Sequence, residues 1–305
     1  GTGYGILVID RAPMQLEMSP TEAVYGTSTQ IIITGNGEEG DFGALTYAVT
    51  TLSGGTASIS ADGILDPTHI GTVTLTVTAA QTDNYLETTK EFTVTIQPLP
   101  VKITWEDLSF LYDGSTHNPT PTVVETVNGE EVTVTEMTPP QKNVVAADGT
   151  RKHKASAIKL SNENYTVENG EGVTVEFEIL PLAVELSWSN LEFIYNGEIQ
   201  RPTATVVNLC ADDICEVTVL GTRDAGDGLT AVAQALSNSN YTLDGGKNLM
   251  TTYKINPLTA ILGWKDTTLV YNGSLQGPTA FVSNLISPDV CEVTVVGQQM
   301  NAGEY

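Results

Sequence analysis

Three histidines, three cysteines, 37 acids and a handful of lysines are the groups of this 305-residue chain with chemistry to offer. His69, His117 and His153 stand in three different settings, so no metal or nucleophilic constellation assembles around them. His153 lies in Arg151-Lys152-His153-Lys154, where neighbouring cations disfavour a bound cation. That short run reads as a solvated loop or strand start, with contact to an anionic glycan as the chemical alternative. Cys210 and Cys215 flank Ala211 to Ile214, a loop that a disulfide could close for about 2 kcal/mol of loop entropy; the bridge and two free thiols stand level. A Lys–Asn isopeptide bond would recur from repeat to repeat, yet Lys254 is answered by Glu178 and no lysine position repeats. Nothing asymmetric and reactive gathers, and the chain reads as a non-enzyme.

The acids give a formal net charge of −24 against 13 bases. Such a surface repels phosphate backbones and anionic lipid, which excludes nucleic-acid and membrane-surface binding and fits solubility. Carboxylates suit calcium, the one cofactor left open, although no Asp-x-Asp-x-Asp-Gly run organises a site. The densest acid, Asp212-Asp213 and Asp224 to Asp227, falls in predicted turns, where Asp is favoured anyway. No stretch reaches the 18 to 20 apolar residues of a membrane span, so no membrane insertion is expected of this segment. No charged n-region with an apolar run opens the chain.

The elements that carry these groups are strands. Thr and Val abound, glycines are many, and no window shows apolar spacing of three and four, so the class is all-β. Trp105, Trp188 and Trp264 each follow a proline junction and precede a Tyr-Asp/Asn-Gly triplet, Tyr112-Asp113-Gly114, Tyr195-Asn196-Gly197 and Tyr271-Asn272-Gly273. Both series are spaced by 83 and then 76 residues. A period of that length means tandem modules, each the size of a small domain. In the clearest repeat, strands are predicted at Ala183 to Trp188, Leu191 to Tyr195, Pro202 to Val207, Cys215 to Leu220, Leu229 to Leu236 and Leu249 to Ile255. Asn238-Ser239-Asn240-Tyr241 makes a turn with an aromatic plug. Tyr85, Tyr165 and Tyr241 occupy that plug in successive repeats. The three tryptophans read as structural plugs beside the junctions, with carbohydrate stacking as the alternative.

The expected organisation is residues 1–10 as the closing strand of a preceding repeat, modules at 11–99, 100–180 and 181–257, and an incomplete copy at 258–305. The first module is a cousin of the others, with Met18 at the tryptophan position and Tyr25-Gly26-Thr27 for the triplet. The whole reads as a fragment of a longer array, with three complete small sandwiches and part of a fourth. Position 215 is matched by Cys291 in the next repeat and by about Glu130 in the previous one, which sets it outside the deep core. Position 210 is matched by Ile286, leaving Cys291 without a local partner. A sandwich of strands rising roughly 3.3 Å per residue is about 30–35 Å long, so modules set end to end would make an elongated, monomeric chain.

The Tyr-Asp/Asn-Gly triplets, the Val-Thr-Val strands, Asn301-Ala302-Gly303-Glu304-Tyr305 and the Asn-x-Asn-Tyr turns resemble the bacterial immunoglobulin-like repeats of surface proteins, in particular the YDG/MBG-type modules. The stretch from Ser60-Ala61-Asp62-Gly63 to Gly71-Thr72-Val73 is similar to the broader bacterial Ig-like group. The resemblance covers essentially the whole chain. It implies a secreted or cell-surface bacterial protein in which such modules serve as a spacer or stalk. Adhesive units that bind host glycan or protein, or accessory modules of a large extracellular glycanase, are its alternatives. It carries over no catalytic residues.

Overall fold

The structure is a computed structural model that describes residues 3–35 and 43–305. Among the described residues there are 25 strands, one short 3-10 turn at Val127–Gly129 and no α-helix, so the chain is all-β, a tandem series of small immunoglobulin-like sandwiches. It divides into two compact units. One holds Gly1–Phe110, Thr116–Gln141 and Thr150–Glu178, and the other holds Leu111–Ser115, Lys142–Gly149 and Ile179–Tyr305.

In the first unit, Gly71–Ala79 shows why this sequence makes a half-buried strand. Val73, Leu75, Val77 and Ala79 alternate with threonines and are fully buried, while the threonines face the other way. Thr88–Gln97 and Leu45–Ser53 flank it antiparallel, and Glu22–Val24 joins the outer edge parallel to Thr88–Gln97. A hairpin of Thr56–Ile59 and Ile64–His69 faces it, and its Leu65 closes the core from the facing sheet with Leu16. Each of the buried valines and leucines contributes about 1.5–3 kcal/mol of hydrophobic stabilisation.

The next sandwich repeats one three-stranded layer, Thr120–Val124, Leu99–Glu106 and Tyr165–Glu171. Its opposite layer includes Val134–Met137 against His153–Leu160 against Thr174–Leu180. In the second unit the same plan returns with Thr203–Val206, Leu182–Ser189 and Tyr241–Lys247 in one layer. Glu192–Ile194, Met250–Asn256, Gly226–Leu236 and Val217–Leu220 form the other. Val219, Ala231, Tyr253 and Ile255 are the buried centre between them, with Trp188 packed against it. Beyond Pro257, Leu262–Lys265 pairs antiparallel with Thr279–Val282, and an isolated bridge joins Gln276 to Gln299.

The structure differs from the sequence reading or adds to it in three places. Residues 3–10 form no strand: Tyr4, Ile6 and Ile9 are almost fully exposed, since a strand without a partner has no ladder to hold it; residues 1–2 of that predicted strand lie outside the described residues. Tyr241–Lys247 and Tyr165–Glu171 are strands in addition to those predicted, and they carry Asp-Gly-Gly and Glu-Asn-Gly within them. Arg151 to Lys154 is a strand start, as one of the two expected readings has it, with the strand beginning at His153; that ring is not solvated, being 3% exposed and tilted against Phe177, 5.3 Å between ring centroids. Lys152 and Lys154 turn outward to Glu178 and Glu176.

Candidate functional site

The repeated motifs converge on one arrangement, a carboxylate that receives two tyrosine hydroxyls. In the first unit Tyr25 Oη donates to Glu130 Oε1 at 2.6 Å and Tyr165 Oη donates to Glu130 Oε2 at 2.9 Å. In the second unit Tyr112 Oη and Tyr241 Oη both donate to Asp213 Oδ2, each at 2.7 Å. The rings meet edge to face, 5.5 Å apart for Tyr25 and Tyr165 and 5.6 Å for Tyr112 and Tyr241, with 75° between planes in both. The second tyrosine oxygen accepts a backbone N–H in turn, from Val127 at 2.8 Å in one and from Cys210 at 2.8 Å in the other. Glu130 and Asp213 are 83 residues apart, as are Val127 and Cys210, so the chain builds the same joint twice at one repeat period.

Each residue of the repeated motifs has a task in this joint. The Tyr-Asp/Asn-Gly tyrosine is the first donor. Its glycine sits at φ +81° in Gly114 and +78° in Gly197; a Cβ there would come within 2.9 Å of Cys210 Cβ and 2.6 Å of Ile286 Cγ2. Gly26, at φ +68°, would likewise put a Cβ 2.3 Å from Val127 Cγ2. The glycine therefore serves both a left-handed turn and a close approach that no side chain permits. The middle residue closes the turn: Ser115 N–H donates to Asp113 Oδ1 and Glu198 N–H to Asn196 Oδ1. In Asn-x-Asn-Tyr, Asn162 and Asn238 cap the turn, receiving the N–H of Asn164 and Asn240. The buried amides of Asn164 and Asn240 then reach across, accepting from Ile70 N–H at 3.1 Å and Val144 N–H at 2.9 Å. A parallel ladder fixes the tyrosine strand, with Leu99 opposite Tyr165 and Leu182 opposite Tyr241.

Electrostatics follow the geometry. Burial, and then the hydrogen bond to the carboxylate, pushes the hydroxyls of Tyr25 and Tyr112 up to about 12, and those of Tyr165 and Tyr241 also rise, burial first. Asp213 is held below the usual carboxylate range by the hydroxyls of Tyr241 and Tyr112. A third carboxylate, Asp289, 76 residues after Asp213, receives Tyr195 Oη and Arg223 Nη2, the latter at 2.8 Å, and its affinity for protons is lowered by Tyr195 and then Arg223.

The tryptophans have a different place. Trp105 Nε1 donates to Gly172 O at 2.6 Å and Trp188 Nε1 to Asn248 O at 2.7 Å, both half-buried on their own sandwich. Gly172 and Asn248 are left-handed turn residues at φ +67° and +56°. Trp264, at 52% exposure, and Tyr271, at 63%, are not packed like their counterparts. Tyr85 is half-buried, in the turn whose backbone bridges Ala12.

The cysteines are free thiols. Cys210 is held by its N–H on Tyr241 and faces Gly114, whereas Cys215 is buried, and burial raises its thiol. The two side chains thus serve different neighbours and are not bridged. Cys215 also belongs to the core, since the 83-residue step matches it to buried Val132 rather than to Glu130. Among the described residues no three His, Cys, Asp or Glu side chains gather as a metal cluster.

The joint acids were missed in the sequence, where Asp213 reads as a turn residue. The signal was there: Glu130, Asp213 and Asp289 recur in step with the tyrosines, always acidic. No protein-family model matches the chain, and no curated protein matches it. Among solved structures it is similar to a protocadherin gammaB7 EC3-6 cis-dimer structure at 10% identity and a TM-score of 0.21, over 87% of this chain and 78% of that one.

Proposed function

We propose that this chain is a non-catalytic spacer from an extracellular or cell-surface bacterial protein, built of YDG/MBG-type immunoglobulin-like modules at the expected boundaries. The observation that supports the reading is the twofold recurrence of the tyrosine–carboxylate joint. The residues that repeat most faithfully are committed to a buried polar contact built once in each unit rather than to a catalytic or ligand-binding cluster, which suits a structural role. The acidic surface suits an exposed, soluble array. Small-angle scattering tests it: modules held end to end give a radius of gyration near 30 Å, while about 19 Å, the value for a compact globule of this length, refutes a stalk.

An adhesin is the second reading, favoured by the exposed Trp264 and Tyr271. An array of glycans and matrix proteins separates the two. Binding that Trp264→Ala abolishes supports the adhesin, and an array without signal supports the spacer.

A further inference from the structure

The joints at Glu130 and Asp213 are each set by one tight turn, and the two turns differ in sequence. Val127-Asn128-Gly129-Glu130 is closed by Glu130 N–H on Val127 O at 3.1 Å, and Cys210-Ala211-Asp212-Asp213 by Asp213 N–H on Cys210 O at 3.1 Å. The first turn has two left-handed residues in succession, Asn128 at φ +53° and Gly129 at φ +74°, and Asn-Gly is the pair that such a turn favours. It holds Val127 N–H on Tyr165 Oη and places the Glu130 carboxylate under both tyrosines.

Asn-Gly is also the step most open to attack by its own backbone, because the glycine has no side chain to shield its nitrogen. Four such steps lie among the described residues. Asn196 and Asn272 have their carboxamide oxygens tied to the N–H of Glu198 and of Ser274. Asn169 lies inside Tyr165–Glu171, where Gly170 is so close to the next strand that a Cβ would stand 2.7 Å from Val101 O. Asn128 is different. It is exposed, its side chain makes no hydrogen bond among the described residues, and the space around Gly129 is open. The Gly129 N–H reaches Thr126 O only at 3.4 Å.

We propose that Asn128 is a site of spontaneous deamidation that releases the joint at Glu130 and leaves the joint at Asp213 intact. Gly129 N bonds to Asn128 Cγ, the Cγ–Nδ2 bond breaks, and Nδ2 leaves as ammonia with the amide proton. Water then opens the cyclic imide at one of its two carbonyls. Opening at Cγ leaves an aspartate, which keeps the turn. Opening at the main-chain carbonyl leaves an isoaspartate, whose Cβ is inserted into the backbone. At ψ 22° Gly129 N stands beside Asn128 N rather than beside Cβ, so the peptide must rotate before the ring can close, and the reaction proceeds from the opened turn. The inserted atom lengthens the path from Val127 to Glu130, so the Val127 N–H and the Glu130 carboxylate no longer both reach Tyr165 Oη. Cys210-Ala211-Asp212-Asp213 has no asparagine to react.

The test ages the intact chain in mildly alkaline buffer and digests it after glutamate. The peptide from Thr126 to Glu130 is expected to gain one mass unit and to split into aspartyl and isoaspartyl forms, at least threefold sooner than the peptides with Asn169, Asn196 or Asn272. Hydrogen exchange then reads the joint: the Val127 amide should exchange at least tenfold faster in the isoaspartyl protein, while the Cys210 amide keeps its rate. Asn128→Gly suits the left-handed position and has no carboxamide, so it should keep Val127 protected after the same ageing. Slower reaction at Asn128 than at the other three steps, an unchanged Val127 rate in the isoaspartyl protein, or equal loss of protection in aged Asn128→Gly would each overturn the proposal.

Discussion

Removing Asp213 is the sharpest perturbation of the joint. Its carboxylate receives Tyr112 Oη and Tyr241 Oη, and both rings are almost wholly buried, at 1% and 4% exposure. Hydrogen bonds to a charged group contribute about 1.5–3 kcal/mol each, and a buried hydroxyl left unpaired costs most of that. Asp213 keeps part of its surface in water, so the lower end applies, and Asp213→Ala should cost about 3 kcal/mol. Asp213→Asn keeps an acceptor without the charge and should cost about half as much. Tyr112→Phe removes one bond, for about 1.5 kcal/mol, and its effect should shrink by at least about 1 kcal/mol in the Asp213→Ala background, the signature of a shared interaction. With Trp105 and Trp264 changed to Phe, guanidinium unfolding followed by Trp188 reports the unit that holds this joint. Asp244→Ala is the control: that carboxylate is exposed, and its loss should stay within about 0.5 kcal/mol. If Asp213→Ala costs no more than Asp244→Ala, the joint is ornament and the reasoning fails.

Titration should show the same contacts from the other side. Because Tyr25 and Tyr112 have folded values raised to about 12, the stability they confer is whole below pH 10 and lost as pH rises from 10 through 12; a late tyrosinate step at 295 nm, absent after guanidinium denaturation, checks it. Asp213 is shifted the other way, so its contribution is present above the unfolded carboxylate value near 4 and fades below it, measurable as a Tyr112→Phe penalty that vanishes in acid. Gly114→Ala should destabilise by about 1–2 kcal/mol, since it places a Cβ at φ +81° and 2.9 Å from Cys210 Cβ; an unchanged midpoint would refute the close-approach argument. Three thiols should alkylate in denaturant without prior reduction, Cys291 fastest in the native state and Cys215 last; a species two mass units lighter would show the bridge after all.

Alternation and turn signals made the sandwich strands legible, because in Leu182–Ser189 or Gly71–Ala79 the period-two pattern is itself the packing. Tyr241–Lys247 was hidden by its Asp-Gly-Gly, since those glycines serve a register shift opposite Ala183 and Glu185 rather than ending the strand. The tyrosines were found as a repeat, but their partner was not, because a lone Asp within Asp212-Asp213 looks like any turn acid until a neighbour's hydroxyl is placed on it. Trp264 was expected to pack like Trp188. It does not, because Trp188 is capped by the carbonyl of Asn248, at the turn after the tyrosine strand, and no such strand lies beside Trp264.

That contrast bears on why the motifs repeat at all. A core position accepts any apolar group of fitting volume, so Cys215 stands where Val132 stood, and the core residues drift between repeats. A hydroxyl that must lie 2.7 Å from a carboxylate, beside a glycine that must admit a neighbour's Cβ, accepts one residue each. The residues that recur here are mostly those that meet at the shared carboxylate, so what the repeated sequence encodes is the joint.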